Sequence, residues 1–221
     1  MEWLPAGRLL EAGLGEGYGA ALLAAAGHTV LGLDYDAAAV AHAAATYPRV
    51  SVVRGNVVQL PFADASVDAV VSMQVVEHLW DQPAYVAECA RVLRPGGHFV
   101  ISTPNRLTFS PGYDPATGSP TNPFHTREFS DAELAALLMP YVTDLTRYGL
   151  HPGPRLRELD AAWRRDHGTD LIGAQLATPP EQWPYALHDA VASVTAADFT
   201  LTTEDVDSSL DLLIHARRRA A

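Results

Sequence analysis

The sequence predicts an α/β fold in which helices cover both faces of an open, mostly parallel β-sheet. Short runs rich in branched aliphatic residues alternate with longer helical patterns along the first hundred residues. A glycine-rich turn joins the first such run to the first helical pattern. With 221 residues, of which 48% are hydrophobic and 19% charged, the chain has the length and composition of one globular domain. We therefore expect a single domain, residues 1–221, with three layers.

Each expected strand is a short apolar run bounded by turn residues, as is usual for buried parallel strands. About seven strands are expected, the last of them antiparallel, at residues 8–11, 29–34, 50–54, 68–72, 98–102, 142–148 and 210–216. Helical patterns occupy residues 19–26, 37–47 and 83–93. Asp36 and Asp81 stand where helix N-caps belong, and Pro95-Gly96-Gly97 ends the third helix.

The second half of the chain has a different texture. Residues 104–129 carry Pro, Gly, Ser, Thr and Asn throughout, which predicts a lid loop. A capping box at residues 130–133 predicts the start of a helix. Residues 150–205 are expected to form a helical insert, and Arg217-Arg218-Arg219 a solvated tail.

Charge and cysteine content exclude several classes of function. All 15 basic residues are arginine, so mechanisms that need a Schiff-base lysine, a P-loop lysine or a Tyr-x-x-x-Lys pair are excluded. The net charge of -11 disfavours nucleic acid and anionic membranes as partners. Cys89, the only cysteine, is expected to be a buried small hydrophobe.

The apolar runs are too short to span a bilayer and no basic signal-peptide head precedes them, so we expect a cytoplasmic protein.

The turn after the first strand carries a glycine at every second position, in Glu11-Ala12-Gly13-Leu14-Gly15-Glu16-Gly17-Tyr18-Gly19. Such glycines let the backbone approach a ligand closely, although tight packing also uses them. The second strand ends at Asp34, where a carboxylate can accept both hydroxyls of a ribose or remain a solvated acid. Together these features predict a site for a dinucleotide or for S-adenosylmethionine.

Five segments, taken in order, resemble the successive motifs of the class I S-adenosylmethionine-dependent methyltransferases, whose fold is Rossmann-like. They are Glu11-x-Gly13-x-Gly15-x-Gly17, Asp34, and residues 55–62, 67–71 and 93–97, and they make residues 8–105 the cofactor-binding core. The resemblance implies that Glu11, Gly13, Gly15 and Gly17 bind the methionine end, Asp34 the ribose, and Asn56 with Val57 the adenine. Tyr35 and Gln74 complete the cofactor-binding set that we expect.

Two departures and one competitor accompany this resemblance. Asn56 replaces the more usual aspartate, and Leu14 stands where the family often has cysteine. A dehydrogenase is the competing interpretation, because Gly15-x-Gly17-x-x-Ala20 satisfies a dinucleotide-binding pattern. That interpretation leaves Glu11 unexplained, and it requires a second domain that the sequence does not predict.

Residues 74–78, Gln-Val-Val-Glu-His, follow the fourth strand. If they begin a helix, Gln74, Glu77 and His78 share one face and point toward the strand ends. Oxygen and imidazole ligands at this spacing suit a divalent cation. Alternatively, Glu77 and His78 act as a metal-free acid–base pair or only cap the next helix.

The same pattern resembles the E-x-x-E-H metal site of ubiquinone-pathway O-methyltransferases and of small-RNA terminal 2'-O-methyltransferases. In the RNA enzymes a further ligand is a histidine after the fifth strand, and His125 stands in the matching place. The resemblance implies that Glu77, His78 and His125 bind Mg²⁺ and carry the catalysis, with Gln74 as a weaker or water-bridged ligand.

Four segments resemble actinobacterial methyltransferases encoded with polymethylated-polysaccharide synthesis: residues 77–81, 103–106, 122–128 and 153–157. The resemblance implies a hydroxyl of a glucose or mannose oligomer as acceptor. Two alternatives stay open, namely metal-free methylation of a phenol or quinone precursor, and a non-catalytic adenosyl-binding partner subunit. Methyltransferases of this class usually have helices before the first strand that close over the cofactor, and few residues precede it here. We therefore expect residues 104–129 or a partner subunit to cover the site, or the start to be truncated, and a homo-oligomer is a further expectation.

Overall fold

A single β-sheet organises residues 4–220, the part of the chain that the computed structural model describes. Its strands are β1 (Arg8–Ala12), β2 (Thr29–Asp34), β3 (Val50–Arg54), β4 (Val67–Met73), β5 (Leu93–Pro104), β6 (Val142–Pro152), β7 (Phe199–Thr202) and β8 (Asp211–Arg218). Their order across the sheet is β3-β2-β1-β4-β5-β8-β6-β7. Strands β1 to β5 are parallel, and β8 is antiparallel to both β5 and β6. The predicted mostly parallel, doubly wound sheet is confirmed.

The described sheet has eight strands rather than about seven, because β7 lies inside the segment expected to be helical. β7 pairs antiparallel with the end of β6, at the edge of the sheet. Its four residues, Phe-Thr-Leu-Thr, are too short a run to give a strong periodic signal. Edge strands of this length are common because a short edge limits unwanted pairing.

The helices of the described chain pack in the expected layers. They are α1 (Tyr18–Ala25), α2 (Ala37–Thr46), α3 (Gln82–Val92), α4 (Arg106–Phe109), α5 (Asp131–Leu138), α6 (Pro154–His167), α7 (Leu171–Ala177) and α8 (Tyr185–Ala192). Helices α1 and α2 contribute to one hydrophobic cluster, while α3 and α5 contribute to another. Neighbouring strand residues such as Val70 and Val71 belong to different clusters, which places the two clusters on opposite faces. Cys89 is fully buried, as predicted.

The predicted helix starts are confirmed by their caps. Asp36 accepts hydrogen bonds from the backbone of Ala38 and Ala39, and Asp81 accepts one from Ala84. The capping box of Ser130 and Glu133 is also formed. None of the helices between residues 4 and 220 has the length and apolar character to cross a membrane.

Helices α6, α7 and α8 form the insert between β6 and β7, and they carry a small core of their own. Trp163, Leu171 and Leu187, one from each helix, are buried together. This cluster is separate from the two clusters that flank the sheet.

The C-terminal arginines belong to the fold, so the prediction of a solvated tail was wrong. Arg217 donates from Nη1 to Nε2 of His98, at 2.9 Å. Nδ1 of His98 then carries the proton and donates to Nε2 of His215, at 2.8 Å. Arg219 donates to the backbone oxygens of Met139 and Val142. These hydrogen bonds therefore link β8 and the residue after it to β5 and to the start of β6.

The two histidines should make stability fall in acid. Burial, together with the charge of Arg217, lowers the pKa of His98 and of His215 below the ordinary value of 6.5. A histidine of this kind binds its proton more readily in the unfolded chain, so stability is lost as the pH falls below about 6.5. We expect wild type to lose stability relative to a His98→Gln variant between about pH 7.5 and 5.5, measured by urea unfolding. Parallel stability curves for the two proteins would contradict this.

Candidate functional site

A cleft of about 600 Å³ lies at the carboxyl ends of β1, β2 and β4. In this sheet the strand order reverses between β1 and β4, and open α/β sheets bind ligands at such a point. Nearly all of the residues expected to bind the cofactor line the cleft: Glu11, Gly13, Gly15, Asp34, Tyr35, Asn56, Val57 and Gln74. The exception is Gly17.

Three glycines of the turn after β1 have left-handed backbone conformations. Gly13, Gly15 and Gly17 have φ angles of 83°, 53° and 87°, a region that favours glycine. A Cβ on Gly15 would meet no atom within 4 Å, so its surroundings are open. A Cβ on Gly17 would lie 2.8 Å from Cβ of Ala43. Gly17 therefore serves close packing at the start of α1.

Asp34 is held in place by two backbone groups. Its Oδ2 accepts from the backbone N–H of Gly15 at 2.8 Å, and its Oδ1 accepts from Asp36 at 2.9 Å. Each carboxylate oxygen has a further lone pair, so the group can still accept from two hydroxyls of a ligand. The neighbouring Tyr35 is 73% exposed, with the guanidinium of Arg54 5.9 Å from its ring centre.

Glu11 is buried at the inner end of the cleft. Burial, opposed by a hydrogen bond from the backbone of Ala20 and supported by the charge of Asp34, raises the pKa of Glu11 to about 7. Its Oε2 is buried and has no hydrogen-bond partner in the described structure. A Cβ on Gly19 would lie 2.3 Å from the other oxygen, so a larger residue there would displace the carboxylate of Glu11. The orphaned oxygen fits the cationic amino group of a methionine moiety.

The turn after β4 differs from the helix start that the sequence suggested. Gln74 is left-handed, with φ 58°, and only Val76–His78 form a 3₁₀ turn. The helix start that would place Gln74, Glu77 and His78 on one face is therefore not formed. Nε2 of Gln74 donates to Oγ of Ser102 at 3.3 Å.

Glu77, His78 and His125 nevertheless come together. Each can offer one ligand atom such that all three atoms lie within 4.8 Å of one another. Oε1 of Glu77 is 3.9 Å from Nε2 of His78 and lacks a hydrogen-bond partner in the described structure. Oε2 of Glu77 accepts from Oγ1 of Thr103 at 3.0 Å. Burial raises the pKa of Glu77, and the two neighbouring histidines act in the opposite direction.

Hydrogen bonds fix the proton position on both imidazoles. Nδ1 of His78 is 3.0 Å from the carbonyl oxygen of Phe124, and Nδ1 of His125 is 2.7 Å from Oε1 of Glu128. Each Nδ1–H therefore donates, which leaves Nε2 of each ring as the acceptor or ligand atom. Nε2 of His125 accepts from the side-chain amide of Asn122 at 3.0 Å. This arrangement can bind a cation or receive a proton.

Two further carboxylates were missed by the sequence analysis. Glu128 is fully buried, and its spacing of three residues from His125 was the available signal. Asp211, at the start of β8, gave no signal because its neighbours come from distant parts of the chain. Burial first, and then the charge of Glu77, raise the pKa of Asp211 to about 6, while a hydrogen bond with Gln74 opposes them.

The chain is similar in sequence and in fold to known methyltransferases. The family described as "Methyltransferase domain" matches residues 10–101. A "Probable S-adenosylmethionine-dependent methyltransferase" of Mycobacterium tuberculosis is 50% identical over 217 residues, covering 95% of this chain and 76% of that protein. A relative of the same description in Mycolicibacterium smegmatis is 52% identical over 220 residues, covering 96% and 82%. A solved methyltransferase structure from Thermotoga maritima has a TM-score of 0.67 at 18% identity, covers 98% of this chain and 84% of that chain, and shows the fold alone.

Removing the carboxylate of Asp34 should weaken binding of S-adenosylhomocysteine. We expect Asp34→Ala to lose at least about tenfold in affinity by calorimetry, because charge-assisted hydrogen bonds to the ribose are lost. Asp34→Asn, which keeps one acceptor oxygen for the Gly15 contact, separates ligand contacts from loop order. Glu16→Ala is the matched control, since it removes one acid from the same turn without touching the cleft lining. Unchanged affinity in both Asp34 variants would contradict the assignment.

Proposed function

This chain belongs to the S-adenosylmethionine-dependent methyltransferases, and on that premise we propose that it methylates a sugar hydroxyl with the help of a divalent cation. The observation that carries the proposal is the cluster of Glu77, His78 and His125. His78 also lines the cofactor cleft, so the cluster adjoins the place where a donor methyl group would sit. The acceptor hydroxyl would meet the donor there.

The residues of the chain would contribute mainly by holding the reactants. Methyl transfer from a sulfonium to oxygen is an in-line displacement, and orienting both partners supplies on the order of 7 to 11 kcal/mol of the barrier. A divalent cation, when bound, lowers the pKa of a hydroxyl that it contacts. Glu77 and the Nε2 atoms of His78 and His125 would hold that cation. Thr103 and Glu128 orient two of these ligands.

The donor set bears on which cation fits. Two imidazole nitrogens and one carboxylate oxygen suit borderline metals such as Fe²⁺, Co²⁺ or Zn²⁺, whereas Mg²⁺ prefers oxygen. Mg²⁺ would need oxygens of the acceptor and of water to complete its shell. In either case the amide of Asn122 has to turn away from Nε2 of His125.

A metal-free base is the second candidate, and the link between Glu128 and His125 favours it. A buried carboxylate that accepts from Nδ1–H stabilises an imidazolium, so Nε2 of His125 can take a proton. General-base catalysis of this kind contributes typically 100- to 10,000-fold. The same geometry therefore supports both mechanisms, and experiment separates them.

The sugar acceptor is supported by the resemblance to polysaccharide-associated methyltransferases and by the surface near the cluster. Trp80 is 90% exposed and Phe124 is 77% exposed, and each lies within two residues of a cluster histidine. Exposed aromatic side chains offer flat apolar surfaces to a ligand. The net charge of -11 disfavours a nucleic acid in the same place.

Chelation should abolish methyl transfer. With labelled S-adenosylmethionine and glucose or mannose oligosaccharides, we expect activity to vanish in excess chelator and to return with Mn²⁺, Zn²⁺ or Mg²⁺. Glu128→Gln should raise the metal concentration needed by about 10- to 100-fold, because it loosens His125. His42→Ala, on the exposed side of α2, is the control and should behave as wild type. Full activity in excess chelator would contradict the metal mechanism and leave general-base catalysis as the remaining candidate.

A panel of acceptors should identify the substrate class. We expect methylation of glucose or mannose oligosaccharides but not of small phenols or RNA, because the site is acidic and the lid region polar. His78→Ala and His125→Ala should each lower turnover by about 100-fold or more, with S-adenosylhomocysteine binding retained. If only phenols were methylated, the sugar acceptor would be contradicted and a quinone precursor would be favoured as the substrate class. Full activity in both variants would remove the cluster from the mechanism.

A further inference from the structure

A second cavity, of about 480 Å³, lies between the insert and the sheet. We call it the insert cavity, and it is lined by residues that include Phe109, Leu156, Ile172, Val194, Phe199 and Asp211. Its volume falls within the range of small-molecule sites, about 300 to 1,000 Å³.

The insert cavity and the cofactor cleft are neighbours. Asp211 lines the insert cavity and lies near Gln74, which lines the cleft and whose side chain lowers the pKa of Asp211. Phe109 lines the insert cavity, and its ring centre is 5.6 Å from that of His125. A ligand whose reacting hydroxyl lies at the cluster therefore has the insert cavity next to it.

The lining of the insert cavity is mostly hydrocarbon, and its charged groups are largely occupied. Arg164 is paired with Asp160 at 3.2 Å and with Asp170 at 3.3 Å. Arg157 donates to the backbone oxygen of Pro152. Asp211 adds a carboxylate where the cavity adjoins Gln74. This pattern fits a ligand that is polar at one end and apolar along its body.

We propose that the insert cavity binds an alkyl group attached to the sugar that is methylated, so that the preferred acceptor is an alkyl glycoside rather than a free sugar. This inference rests on the proposed sugar methylation. Each methylene that is buried should raise affinity about fourfold. The polar end would then face Asp211 and the cluster, where the reacting hydroxyl is needed.

The test compares the binding of methyl and hexyl glycosides of glucose and mannose to protein saturated with S-adenosylhomocysteine, by calorimetry. We expect the hexyl glycoside to bind at least about tenfold more tightly to wild type. Ile172→Trp, which enlarges a side chain of the lining that is 38% exposed, should remove this preference. Leu176→Trp is the matched control, since Leu176 lies on the same helix, is 46% exposed and is outside the lining, and it should keep the preference. Unchanged binding of S-adenosylhomocysteine shows that each variant is folded.

The outcomes separate this inference from the proposed function. A hexyl preference that is absent in wild type, persists in Ile172→Trp or disappears in Leu176→Trp overturns the inference and leaves sugar methylation standing. A preference that depends on Ile172, without methyl transfer to either glycoside, supports the cavity and overturns the proposed function. Failure of both glycosides to bind overturns the inference, and methyl transfer to the glucose and mannose oligosaccharides then decides the proposed function.

Discussion

The candidate cluster depends on one backbone group, the carbonyl oxygen of Glu77. It accepts hydrogen bonds from the N–H groups of Thr126 and Arg127, at 2.7 and 3.3 Å, and from Oγ1 of Thr126 at 3.1 Å. The link joins the turn after β4 to the long segment after β5, and His125 immediately precedes Thr126. Because main-chain groups make most of this link, its geometry is set by the backbone. It brings the imidazole of His125 to within reach of Glu77 and His78.

Buried acids give the site its electrostatic character. Burial raises the pKa values of Glu11, Glu77 and Asp211, which lie in or beside the two cavities. A bound cation stabilises the charged form of a poorly solvated carboxylate, because the cation replaces the interactions with water that burial removes. The methyl donor carries a sulfonium and an amino group, so its charge has the sign that this site favours. The net charge of -11 attracts cations at longer range as well.

The sequence predicts the parallel half of the fold better than the rest. The glycine-rich turn, Asp34 and the helix caps depend on neighbours close in sequence, and their positions are confirmed. By contrast, Asp211 meets Gln74, and Arg217 meets His98, across more than a hundred residues of chain. Such pairs can be recognised only once the strand order is known, so no local sequence pattern predicts them. The left-handed backbone of Gln74 is a similar case, because a helix that begins at Gln74 would have been equally compatible with the neighbouring sequence.

The position of β8 has a consequence for how the chain is made. β8 follows the other seven described strands along the chain, yet it lies between β5 and β6. Until β8 is added, the sheet therefore consists of two parts, β1 to β5 and the pair of β6 and β7, each with an unpaired edge; the edge of β5 is apolar at Phe99–Ile101, whereas that of β6 is mostly polar. Exposed edges of this kind promote association between incomplete chains. The insert is attached to β6 and β7, so β8 is the strand that joins it to the cofactor-binding half of the sheet.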